Sequence, residues 1–185
     1  MEDDLQEKFR QIESNIADEI SFIIRWRTSK IYFSGEENLG SGHFGRLKTD
    51  LQGAFEIASI ILFATFFQED GDNSLKSFVK LAHSLQKIDK STFDSLIHRL
   101  DVLKNSNDCE TLKNLRNKVF AHWDRNRPEH PDQPIDITPI IEEIISIFEG
   151  AQGRNIDRDS LEKDVKIGWQ HFLKRLPTHV PSTSL

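Results

Sequence analysis

The sequence predicts an all-α fold, an antiparallel bundle of four core helices with additional helices around it, on three observations. Apolar residues recur at steps of three and four along most of the chain, as they do on one face of a helix. No comparable stretch alternates with the period of two that a half-buried strand requires. Helix start and stop signals bracket the periodic segments.

Leu5, Phe9, Ile12, Ile16, Ile20, Ile23 and Ile24 form one stripe and predict a first helix of about seven turns. A glycine-bearing loop from Ser34 to Gly45 follows, then a second long helix from Leu47 to Phe67. Its apolar run, Ile57 to Phe67, has 11 residues and contains Ser59 and Thr65. A membrane span needs about 20, so this is a buried helix. Gln68 to Asn73 is a turn, and Leu75 to Leu85 a third helix. Ser91, with Asp94 three residues on, opens a fourth that ends near Lys104. Asn105 to Asp108 breaks it. The fifth helix runs from Cys109 to Trp123 or Arg125 and stops before the loop holding Pro128, Pro131 and Pro134. Thr138 followed by Pro139 starts a sixth, to Phe148, which Gly150 and Gly153 end. Asp159 with Glu162 opens a last amphipathic helix through Leu173. No repeat or linker divides the chain, so residues 1–176 are one domain and 177–185 a loose tail.

A chain of 185 residues with 37% hydrophobic residues, 29% charged residues and 13 phenylalanines belongs to neither a disordered nor a collagen-like class. It is long enough to bury a proper core. Cys109 is the single cysteine and cannot form an internal disulfide. No charged and apolar leader opens the sequence, and a reducing, cytoplasmic location is expected, with no membrane partner. The net charge of −6 argues against adhesion to nucleic acid over the whole surface. Charge is nevertheless uneven. Between Thr111 and Arg127 stand five cations, Lys113, Arg116, Lys118, Arg125 and Arg127, against one anion, Asp124. On charge alone this is equally a solvated helix face; as an RNA contact it would be local.

The same segment carries the main motif, Leu115-Arg116-Asn117-Lys118-Val119-Phe120-Ala121-His122-Trp123-Asp124. Leu112, Leu115, Val119 and His122 share one stripe; Arg116, Phe120 and Trp123 share the next. On a regular helix, six steps separate Arg116 from His122 by about 120° and about 9 Å. One subunit therefore cannot bring both to one atom. A two-fold axis beside this helix would let Arg116 of one copy and His122 of another converge on one phosphate, and isologous dimers are the commonest oligomers.

An arginine, an adjacent polar residue and a histidine after five intervening positions resemble the signature of the HEPN superfamily, and the wording is closest to its abortive-infection, anti-phage branch. The resemblance is specific over about ten residues and architectural over the rest. It implies the same helical bundle, a site shared at a homodimer interface, and a metal-independent endoribonuclease of toxin or phage-defence type with RNA as substrate and an antitoxin or defence-system protein as a possible partner. In chemical terms the catalytic candidates are Arg116, His122 and Asn117, and no cofactor or metal is called for. Histidine titrates near neutrality and can move the proton of the 2′-hydroxyl or the leaving 5′-oxygen. Arginine can meet the charge growing on phosphorus. Lys118, Arg125, Lys113 and Arg127 are the candidate RNA-backbone contacts. Some HEPN toxins carry a tyrosine two residues after the histidine, which a partner nucleotidyltransferase modifies. This chain has Asp124 there, and its single tyrosine is Tyr32.

Other motifs lack their context. Gly40-Ser41-Gly42-His43-Phe44-Gly45 satisfies G-x-G-x-x-G, but no strand precedes it. His98-Arg99-Leu100-Asp101 is similar to a kinase catalytic loop, but no Asp-Phe-Gly follows. His122, Asp124, Glu129, His130 and Asp132 lack the spacing of a metal site. Cys109 has no nucleophilic partner and reads as a small buried hydrophobe. Two further functions compete with the nuclease: a catalytically silent HEPN module that binds RNA, nucleotide or protein, and a bundle whose basic helix docks an acidic partner.

Overall fold

Several helices begin where a particular polar side chain takes over from the backbone ladder. The computed structural model describes residues 2–35, 66, 74–121, 138–153 and 155–175, without the side chains at 2, 33–35, 115–121, 173 and 175. Among them are six helices and no strand: α1 (Glu2–Gly35), α2 (Leu75–Ser84), α3 (Lys90–Lys104), α4 (Asn107–Ala121), α5 (Thr138–Gln152) and α6 (Arg158–Arg175). The protein is all-α, as the periodicity requires. The loop at Gly40–Gly45, the tail and all of the second expected helix except Phe66 lie outside the described residues; Phe66 is buried.

α1 has 34 residues and continues about two turns past the expected seven. Its buried stripe, Phe9, Ile12, Ile16, Ile20, Ile23 and Ile24, is extended by Thr28 and Ser29. Their hydroxyls donate to the carbonyls of Ile24 (2.9 Å) and Arg25 (2.8 Å), so no donor is buried unpaired. Leu5, expected on that stripe, is 38% exposed, because burial on α1 begins one turn later at Phe9.

Ser74 caps α2, its hydroxyl accepting from Ser77 N at 3.1 Å. α2 ends in a paired closure, Lys87 N to Ala82 O and Gln86 N to His83 O, which places Gln86 at φ 55°. α3 starts at Lys90 rather than Ser91, because Asp89 accepts from Thr92 N at 2.7 Å. Asp94 instead pairs with Lys90 at 2.8 Å. α6 likewise opens with Asp157, which accepts from Ser160 N at 3.1 Å, and Glu162 turns to Lys166. Gly150 was expected to end the sixth helix, but α5 runs on to Gln152 and stops at Gly153, φ 74°. Gly150 lies where α5 approaches α3 closely: a Cβ there would come within 3.1 Å of Leu96 Cδ2.

On α5, Ile140, Ile141, Ile144, Ile145, Ile147, Phe148 and Ala151 are all buried and share one face about 160° wide, with Glu142, Glu143, Ser146 and Glu149 on the other. α2 packs on α1, α3 and α5; α3 packs also on α5 and α4; α6 packs on α1. Phe78 joins three of these helices, its ring 4.8 Å from Phe9 and 5.1 Å from Phe148. None of the described helices is long and apolar enough to cross a membrane.

Candidate functional site

α4 carries the motif's residues from Leu115 to Ala121 on a helix that is well anchored at its start. Ser106 serves both sides of the break: its hydroxyl donates to Leu103 O at 2.7 Å and accepts from Cys109 N at 3.2 Å. Asp108 and Glu110 occupy the first turn, where the helix dipole favours anions. Cys109 and Leu112 fix the inner face, both buried. Burial pushes the Cys109 thiol up from its ordinary value, against smaller opposing effects of Ser106 and Lys113. It is a packing residue, as expected of a buried cysteine without a base.

Arg116, Asn117 and Lys118 lie on the backbone of α4's last two turns, together with the rest of the segment to Ala121. Their side chains, and the whole of His122, Arg125 and Arg127, lie outside the described residues. The acidic and histidine-bearing group from His122 to Asp132 does too. Lys113 is the basic candidate whose contacts are visible. Its ammonium donates to Lys104 O at 3.1 Å, at the end of α3 where unpaired carbonyls and the dipole favour a cation. One of its three donors is engaged there, and the side chain clamps α4 to α3.

The sequence reading missed an ionic network on α5. Glu142, Glu143 and Glu149 lie on the face of α5 opposite its buried stripe, and each is met by a cation. Arg99 of α3 grips Glu143 through two nitrogens, at 2.7 and 3.0 Å, and reaches Ser146 at 2.9 Å. The bond to Glu143 raises the arginine above its ordinary value, with burial opposing. The kinase-like His98-Arg99-Leu100-Asp101 segment is thus a pair of braces, since Asp101 binds Lys76 of α2 at 3.2 Å. Glu142 takes Arg27 of α1 at 2.8 Å and Arg158 of α6. Arg158 also lies 3.3 Å from Glu149, whose other oxygen accepts from Ile156 N at 2.8 Å. Alongside, Trp169 of α6 donates to Ser29 of α1 at 2.7 Å.

Burial alone would raise the Glu142 carboxyl, but the hydrogen bonds from Arg27 and Arg158 outweigh it and hold the group below its ordinary 4.5. Folded Glu142 therefore keeps its charge to lower pH than the unfolded chain does. Its contribution to stability is complete above 4.5 and is lost as the pH falls through the depressed value. The melting temperature should accordingly drop in this acid range, and Glu142→Gln should flatten the drop. Parallel acid-range melting curves for the two proteins check this; identical slopes would assign the acid sensitivity to other groups.

Among the described residues no cluster of three histidine, cysteine or acidic side chains could hold a metal ion. No protein-family model, no curated protein and no solved structure matches the chain.

Proposed function

We propose that the chain is a metal-independent endoribonuclease of toxin or phage-defence type, acting as a homodimer whose α4 helices flank a shared cleft. The observation that carries the reading is Arg116 on α4, followed at once by Asn117 and, five intervening positions after the arginine, by His122, within an all-α protein. The local excess of cations in an acidic chain supports it. The substrate supplies its own nucleophile, which is why so few side chains suffice. The 2′-oxygen attacks phosphorus and passes its proton to a base; the bond to the 5′-oxygen breaks and that oxygen takes up a proton. His122 handles protons at this step, Arg116 meets the charge on the nonbridging oxygens, and Asn117 holds the phosphate or orients a neighbour. Products are a 2′,3′-cyclic phosphate and a 5′-hydroxyl. Lys118, Arg125, Lys113 and Arg127 would follow the RNA backbone. An antitoxin or defence-system protein is the expected controlling partner.

The test is incubation of the purified chain with total cellular RNA in EDTA, beside a DNA substrate. Cleavage of RNA alone, with cyclic phosphate ends and no loss on chelation, is expected. Strict dependence on magnesium or manganese would place the chemistry elsewhere. RNA binding without turnover would make the chain a silent binding module.

A further inference from the structure

An open groove of about 380 Å³ lies where the end of α1 meets the starts of α5 and α6. Its size falls within the about 300–1,000 Å³ typical of small-molecule sites. Ile24, Ile31, Ile141 and Ile145 give it branched aliphatic walls, and Arg27, Arg158 and Lys166 stand among them. The two acids of the lining already face cations, Glu142 both arginines and Glu162 the ammonium of Lys166 at 3.5 Å. Three cations against two anions line the groove, in a chain whose net charge is −6.

The cations are not equivalent. Arg158 is held by Glu142 and Glu149 together and is structural. Arg27 engages Glu142 through one nitrogen, and Lys166 is more than half exposed with only a long ion pair. These two are the groups able to meet an incoming anion. The walls suit an alkyl body, because four of the lining residues are isoleucines and the Thr28 hydroxyl is committed to Ile24 O; Tyr32 is the one aromatic residue of the lining, and the AMP arm of the titration below decides whether it takes a base. Isoleucine side chains offer no donor or acceptor to a base edge.

We propose that this groove binds a small aliphatic carboxylate, its chain on the isoleucines and its carboxylate on Arg27 and Lys166. The site is separate from α4, and the proposal does not rest on the ribonuclease reading. Calorimetric titration of the full chain with octanoate tests it, beside octylamine, AMP and inorganic phosphate. Two variants keep the fold out of question: Ile31→Glu, at a side chain 63% exposed, and Lys166→Gln, at a weakly paired surface ammonium. Octanoate should bind at one saturable site, octylamine should not, and each variant should weaken octanoate about tenfold or more, the usual weight of a charged contact or a misplaced charge. Melting temperatures should not change. The proposal is overturned if octanoate does not saturate, if octylamine matches it, if AMP or phosphate binds more tightly, or if both variants bind octanoate as the parent does.

Discussion

His122→Ala and Arg116→Ala should each abolish RNA cleavage, and any toxicity on expression, without changing helical content or melting temperature. Losing a general acid–base group costs about 10²–10⁴-fold, and losing a donor to the developing charge about 10²–10³-fold. Neither effect overlaps the modest loss expected from a backbone contact. Lys113→Ala is the informative control. Its ammonium holds Lys104 O at the end of α3, so its removal should lower stability slightly along with RNA affinity. Activity and melting temperature measured on the same preparations separate these cases. Retained activity in His122→Ala, or activity lost only through unfolding, would make His122 a packing residue.

Mixing the two inactive proteins adds a test of the shared cleft. If Arg116 of one subunit works with His122 of the other, a heterodimer of the two variants keeps one intact site of two. With random exchange, half the dimers are mixed, and about a quarter of parental activity should return. No recovery after demonstrated exchange would place both groups in one subunit's site, or both in each.

The helices were legible because burial is local in period: Phe9 to Ile24, Leu75 to Ala82 and Ile140 to Ala151 announce their inner faces by spacing alone. Boundaries were less legible. Ser91 and Asp159 each have an acid three residues on, yet Asp89 and Asp157, two residues earlier, take the free amides first and draw Ser91 and Asp159 into the helix. The bracing of α5 could not be assigned because it depends on distant partners. Arg27 and Glu142 are 115 residues apart in the chain, and Arg99 and Glu143 are 44 apart. Spacing puts Glu142 and Glu143 on the polar face of α5 without saying which cations meet them. The proposed motif could be read for the opposite reason: its residues fall within ten consecutive positions, Leu115 to Asp124. The convergence of Arg116 and His122 proposed above would be a relation between two surfaces, which no single helix encodes.

Phe78→Ala is expected to be the most damaging single substitution in the core. Phe78 is fully buried on α2, stacked between Phe9 of α1 and Phe148 of α5, with ring planes inclined by 23° and 28°. Truncation removes the apolar ring, leaves a void bounded by two further rings, and ends both stacking contacts at once. Phenylalanine-to-alanine changes in cores cost about 3–5 kcal/mol, and aromatic pairs add about 0.5–1.5 kcal/mol each beyond area. The surroundings cannot collapse into the space easily. Ile144, Ile145 and Ile147 on α5 and Val79 on α2 are already buried to within 1% exposure. Against a total stability of about 5–15 kcal/mol, such a loss leaves a marginal protein, with a melting temperature roughly 10 °C lower or more. Phe78→Leu, which keeps most of the volume but not the stacking, should lose about a third as much. Chemical denaturation of the three proteins measures this through the midpoint at constant slope. Equal losses for alanine and leucine would mean that ring stacking, rather than filled volume, joins α1, α2 and α5.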